Sequence, residues 1–294
     1  MNELYQNTTL IVTVGFAVGA VFGSFLNVCA YRIPIYKSVI SPSSHCPECG
    51  LDIPWYRNIP IFTWLLQNGM AKCCSYKIPI RYWILEFLMG ILFGYFAYKY
   101  SKNLDLLVLF THAFFTWLMI AVAVIDFETM TIPDRFSLGG AISGVVLSCY
   151  FPQMHLEVFE VNLLNHLSSG LHSLLGMLIG SAFIYWIGAI AHVFFGREAL
   201  GEGDVKLLGC VGAFCGWQGA LFAIFAGALL GTILILPILL IKHFGKLGSK
   251  NGSFGIRWGG EVPFGPFLAI AGVFYFVYAY EYVDNWLLPI ELIF

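Results

Sequence analysis

Residues 206–241 form a single apolar run of 36 residues, and that run restricts the fold more than any other stretch. As one helix it would be about 54 Å long at about 1.5 Å per residue, well beyond a bilayer core of about 30 Å. It must therefore double back, and Trp217-Gln218-Gly219 offers the turn. Two legs follow, 206–218 and 219–241, the first of them short. Six further runs, at 9–31, 82–99, 104–125, 136–152, 171–195 and 262–280, are long enough or nearly long enough to cross a membrane. The chain is 59% hydrophobic and 11% charged, with a mean hydropathy of +0.80. That balance excludes a soluble globular domain. The expectation is an all-α, polytopic membrane protein of about eight transmembrane helices.

Charge placement gives the orientation, because Lys and Arg near span ends favour the cytoplasmic side. With eight crossings and an external N-terminus, Arg32, Lys37, Arg57, Lys72, Lys77, Arg81, Arg135, Arg197, Lys206, Lys242, Lys246, Lys250 and Arg257 fall inside. Only Lys99 and Lys102 fall outside. Both termini are then periplasmic or external. Residues 1–9 carry no Lys or Arg, so the first run, within a segment 1–31, reads as a span that stays rather than a removable signal. Residues 32–81 form a cytoplasmic insert rich in Pro, Cys and Trp, and residues 82–294 form the main membrane domain. The insert is small for an independent core, so a metal staple would help it fold. The basic, Gly-rich loop 242–261 reads as flexible. Gly15, Gly19 and Gly23, then Gly176 and Gly180, then Gly227 and Gly231 recur at fourfold spacing and let helices approach closely. No nucleic-acid module appears, and the lipid bilayer is the first partner.

Two carboxylates stand out. Asp126 closes the run Ala121-Val122-Ala123-Val124-Ile125, and Asp204 follows Gly201-Glu202-Gly203 at the mouth of the long run. Both lie on the cytoplasmic side of the derived topology. Asp204 has an ordinary reading as the cap of the following helix, behind a flexible Gly-x-Gly hinge. A carboxylate at a membrane edge is nevertheless costly and so a functional candidate. Two that meet cannot comfortably both ionise, and a pair sharing one proton can polarise a peptide carbonyl while activating water. Glu128 and Asp134 read as interface residues, Pro133 and Asp134 suiting a first helical turn. Glu86, His112, His172 and His192 are scattered through spans, and a lone His in a bundle is more often a satisfied structural group than a catalyst.

The insert holds Cys46-Pro47-Glu48-Cys49 and then Cys73-Cys74. Four thiolates on two turns can close a tetrahedral zinc site, and a cytoplasmic setting argues against disulfides. The adjacent pair is awkward for one ion, which makes His45 a substitute candidate. Cys29, Cys149, Cys210 and Cys215 lie in apolar runs and read as packing residues.

In order along the chain, these segments resemble the bacterial prepilin peptidases, or type IV leader peptidases, of the GxGD aspartic membrane proteases. The resemblance rests on Gly23-Ser24-Phe25-Leu26-Asn27-Val28, Tyr31-Arg32-Ile33-Pro34, Cys46-Pro47-Glu48-Cys49-Gly50, Asn58-Ile59-Pro60 and Arg81-Tyr82 with Glu86. It continues through Asp126, Ile132-Pro133-Asp134, Gly201-Glu202-Gly203-Asp204-Val205-Lys206-Leu207 and Pro263-Phe264-Gly265-Pro266-Phe267. It implies that Asp126 and Asp204 are a catalytic pair in a bacterial inner-membrane enzyme. The substrates would be type IV prepilins or pseudopilins of a pilus or type II secretion system, cut on the cytoplasmic side after a Gly. It also implies methylation of the new amino-terminus with S-adenosylmethionine, although no Gly-x-Gly-x-x-Gly cofactor pattern is present. One departure stands: aligned on Ile78-Pro79-Ile80-Arg81-Tyr82, the family's second Cys-x-x-Cys falls on Ala71 and Cys74, leaving Cys73 to stand in. Rival readings are a proton-coupled transporter using the paired carboxylates and a non-catalytic scaffold of a pilus or secretion assembly.

Overall fold

A computed structural model describes residues 2–101, 106–155, 162–196, 200–244 and 262–291. The helices are α1 (Asn2–Arg32), α2 (Phe62–Leu66), α3 (Ile80–Lys99), α4 (Leu106–Thr129), α5 (Asp134–Tyr150), α6 (Leu163–Phe195), α7 (Glu202–Phe244), α8 (Gly265–Phe274) and α9 (Tyr280–Glu291). A π-helical turn, Tyr275–Ala279, joins the last two. Among the described residues there is no strand, only two isolated β-bridges in the cysteine insert. The all-α, polytopic expectation holds. Among the described residues, six helices are long and apolar enough to cross a membrane; α5 has 17 residues, and the runs 206–218 and 219–241 both belong to α7. Lys102, Arg197, Lys246, Lys250, Arg257 and most of the loop 242–261 lie outside the described residues.

The chain divides into two compact units, residues 1–117 and 118–294. In the first, α1 runs antiparallel along α3, and the glycine stripe is the reason they can approach. A Cβ on Gly15 would stand 2.7 Å from the Ala97 Cβ, and one on Gly23 would stand 2.7 Å from the Glu86 Cα. Gly19 faces the Met89 carbonyl in the same way. At the end of α1, buried Arg32 donates to the carbonyls of Ser38 (3.1 Å), Pro42 (2.8 Å) and Ser43 (3.1 Å). Arg32 therefore clamps the start of the insert, a structural duty beyond its weight as a topological charge. His112 is satisfied, donating from Nδ1 to the Val108 carbonyl at 2.9 Å and lying 2.9 Å from the Tyr100 hydroxyl.

In the second unit α7 is not one rod. Gly216 takes φ 69°, ψ −179°, a conformation open to glycine at little cost. Around it the chain reverses. The Leu208 carbonyl oxygen and the Ala220 Cβ lie 2.8 Å and 2.9 Å from the same point, the place of a Cβ on Gly180. A straight helix would hold residues 208 and 220 about 18 Å apart. The turn thus forms one residue ahead of Trp217-Gln218-Gly219, and α6 seats both legs through its small residues, Gly176 lying against Gly212 and Gly216. Gly227 in the second leg meets the backbone of Leu268 in α8, with a Cβ position 3.2 Å from the Leu268 nitrogen. The outward side chains of α6 stay apolar, with Val193 82% and Phe194 79% exposed, as a helix facing lipid requires. Cys29, Cys210 and Cys215 are buried as expected of packing residues, whereas Cys149 is exposed.

Candidate active site and cysteine centre

Asp126 sits in the last turn of α4 and is 5% exposed. Its environment is made by the start of α8: the Gly265 backbone N–H donates to the carboxylate, and a Cβ on Gly265 would stand 2.6 Å from Asp126 Oδ2. A Cβ there would force the Asp126 carboxylate or the Ile132 side chain to shift. Helix starts carry unpaired N–H groups, so this carboxylate is met by a donor rather than by a cation. Asp204 lies in the first turn of α7, half-buried, and its Oδ2 accepts the Gly201 N–H at 3.4 Å. The charge of Asp126 acts on Asp204. Two residues 78 positions apart are therefore brought together within one unit.

Ile132 is the spacer that sequence reading missed. Its side chain stands 3.1 Å from the Cβ position of Gly203 and 3.0 Å from that of Gly265. It wedges between the two helix starts that frame the carboxylates. Gly203 is therefore needed for space, and neither Gly201 nor Gly203 takes a positive φ. Asp134 makes no capping bond. It pairs instead with Lys206, Oδ1 to Nζ at 2.8 Å, on a solvent-facing edge. The pair ties the start of α5 to the start of α7. Its signal was present in the sequence only as two charges 72 positions apart.

The cysteine insert, in the first unit, carries two turns of the same build. In one, Cys46 N–H donates to Leu51 O and Gly50 N–H to Cys46 O, with Gly50 at φ 71°. In the other, Ala71 N–H donates to Tyr76 O and Ser75 N–H to Ala71 O, with Ser75 at φ 59°. Ala71 thus occupies the place of Cys46, Cys74 that of Cys49, and Cys73 that of Glu48. The four sulfurs of Cys46, Cys49, Cys73 and Cys74 nevertheless lie within 4.8 Å of one another. Cys46 is 3.5 Å from Cys74, and Cys73 is 3.8 Å from Cys74. Zinc–sulfur bonds of about 2.3 Å around one ion set sulfurs about 3.8 Å apart, so the donor set fits a tetrahedral ion. The Cys49 N–H pulls the Cys46 thiol down to about 6, while neighbouring thiols, Cys49 foremost, push Cys73 up to about 12. The group accepts one negative charge readily and resists the next, which a bound cation relieves. His45 is outside the group; its Nδ1 stands 3.1 Å from the Ser43 carbonyl.

Comparison with known proteins places these two centres in separate matches. Residues 17–100 match the Bacterial Peptidase A24 N-terminal domain, and residues 113–236 match the Type IV leader peptidase family. A prepilin leader peptidase/N-methyltransferase of Dichelobacter nodosus is 32% identical over 308 residues, covering 95% of each chain. One of Myxococcus xanthus is 31% identical over 251 residues, covering 84% of this chain and 68% of its own. One of Pseudomonas putida is 26% identical over 291 residues, covering 92% of this chain and 91% of its own. No solved structure matches the chain.

Proposed function

The chain belongs to the type IV leader peptidase family, and from that premise we propose that Asp126 and Asp204 are the catalytic pair of a membrane prepilin peptidase that also methylates its product. The observation carrying this is the meeting of a deeply buried carboxylate, held by one backbone donor, with a second carboxylate whose charge environment it shapes. Such a pair holds one proton between its members, and its titration belongs to the pair. The ionised member takes a proton from water as it attacks the scissile carbonyl. The protonated member donates to the carbonyl oxygen, where charge develops. The Gly265 N–H at the start of α8 fixes the Asp126 carboxylate during both steps.

Both acids belong to helix ends, so the peptide to be cut is presented at a membrane edge. That suits a prepilin, whose short basic leader precedes an apolar helix. The helix packs in the bilayer and the leader stays at the charged surface. Eight crossings, with both termini periplasmic and the insert cytoplasmic in a bacterial inner membrane, satisfy the distribution of Lys and Arg. Cys46, Cys49, Cys73 and Cys74 would hold a structural zinc ion that staples the insert. S-adenosylmethionine would supply the methyl group for the new amino-terminus. A transporter reading fits less well, because coupling acids are expected near the membrane midplane rather than at helix ends.

Mass spectrometry of a prepilin-like peptide after incubation with the purified, detergent-solubilised protein and S-adenosylmethionine tests the assignment. Wild type releases the leader and adds a methyl increment, whereas Asp126→Asn and Asp204→Asn each lose cleavage by about 10²-fold or more. Cleavage surviving both substitutions would overturn the two-carboxylate mechanism.

A further inference from the structure

Within the first unit, the segments at 23–27, 58–61 and 81–86 and the cysteine turns converge on one cavity. Its volume is about 300 Å³, at the lower end of the range for small-molecule sites.

Two buried acceptors stand in this cavity. Glu86 is 8% exposed; its Oε2 accepts the Ile61 N–H at 2.7 Å, and the Ser24 hydroxyl also donates to it. Asn27 is 1% exposed. It directs its amide nitrogen to the carbonyls of Gly23 (3.3 Å) and Tyr82 (3.2 Å). Its Oδ1 is buried with no hydrogen-bond partner. A buried acceptor left so is costly, and a ligand with N–H groups would complete it. The surrounding backbone is built around the carboxylate. Gly23 admits the Glu86 backbone, and Ile61, a β-branched residue, is held at φ 66°, ψ −57° with its N–H on Glu86. Such strain persists only where its surroundings impose it and gathers at functional sites. Trp64 and Tyr82 add aromatic faces to the lining, which suit a cationic ligand.

We propose that this cavity is the methyl-transfer site: Asn27 Oδ1 accepts from an N–H of S-adenosylmethionine, and the Glu86 carboxylate faces the amine that receives the methyl group. The proposal rests on the reading that the chain methylates its product. In the step, the lone pair of the neutral amine forms the new N–C bond while the donor's C–S bond breaks, its electron pair staying on sulfur as a neutral thioether. Glu86 acts before that bond forms, taking from the amino-terminal ammonium the proton whose departure frees the lone pair, and the product leaves as a secondary ammonium.

Ultraviolet crosslinking of labelled S-adenosylmethionine to the full-length protein in detergent, followed by peptide mapping, locates the donor without requiring turnover. Label within residues 24–86, competed by S-adenosylhomocysteine, is the expected result. Calorimetry with S-adenosylhomocysteine adds the residues: Asn27→Leu weakens binding by about tenfold or more, whereas Glu86→Gln binds like wild type but no longer methylates the amine. Label confined to residues 118–294, or both variants binding and methylating like wild type, overturns the site while leaving methylation intact. A wild-type protein that neither binds nor methylates overturns the methyltransferase reading itself. Loss of binding in Glu86→Gln as well overturns its placement beside the amine.

Discussion

At the scale of the residue, the two centres depend on what is absent from a side chain. Gly265 has no Cβ, and one would stand 2.6 Å from Asp126 Oδ2. Gly265→Ala is therefore expected to push the carboxylate off its backbone donor and lower kcat by about 10-fold to 10²-fold, with KM little changed, since positioning errors act on the transition state. Steady-state kinetics on a prepilin-like peptide checks this, and a selective rise in KM would contradict it. Ala71 is the counterpart in the insert. It fills the place that Cys46 fills in the equivalent turn, and Cys73 reaches the sulfur cluster from the next-but-one position. Cys73→Ser is expected to lower zinc stoichiometry, and Ala71→Cys in the same chain to restore it, because the regular ligand position is then filled. Metal analysis of the purified variants decides the matter. Failure of the double variant to regain zinc would show that Cys73 holds something other than a displaced ligand role.

At the scale of the element, the reversal at Gly216 is what turns one apolar run into two legs. It is held from outside the run. Ser173 on α6 donates to the Ala213 carbonyl at 2.7 Å, and His155 Nε2 lies 3.3 Å from the same oxygen. Burial pushes the His155 imidazole down to about 4, below its ordinary value of about 6.5. The fold therefore favours the neutral ring. Between these two values the unfolded chain binds more protons than the folded one, so stability is full above about pH 6.5 and falls as pH drops toward 4. The unfolding temperature in detergent should decline across that window in wild type, and His155→Gln should flatten the decline. An unchanged profile in the variant would assign the pH dependence elsewhere.

At the scale of the whole molecule, the excess of basic residues on one side of the eight-crossing topology sets an expectation about compartments. Reporter fusions after residues 60 and 250 should behave as cytoplasmic, and fusions after residues 103 and 160 as periplasmic. A periplasmic signal at residue 250 would mean that the two legs of α7 do not both cross. Reading the legs separately was possible from the sequence because length alone forbids one straight helix of residues 206–241. The location of the turn was legible to within a residue, from the small and polar residues beside it.

Much of the chemistry was legible in the same way. Asp126 and Asp204 announced themselves because a carboxylate beside a long apolar run is expensive, and Cys46 and Cys49 because paired thiols at that spacing form a ligand turn. Ile132, Gly265 and the Asp134–Lys206 pair were not legible as a constellation. Their roles arise from contacts between segments remote in sequence, and an isoleucine carries no chemical mark of being a spacer. Gly203 was visible only as part of a Gly-x-Gly hinge, because the neighbour that needs its lack of bulk, Ile132, comes into place only with the fold. Glu86 was visible as an ionisable residue within a span and Asn27 only as one letter of a motif near the first span, without any sign that they open on one cavity. By itself the sequence determined the membrane as solvent, the helical class and the family, and it singled out Asp126 and Asp204 as the proposed acidic pair, because each follows from local composition, spacing or ordered motifs. The tertiary structure decided which carboxylate is buried, what holds it and which glycines must be glycines, because those depend on distances between helices that no one-dimensional pattern contains.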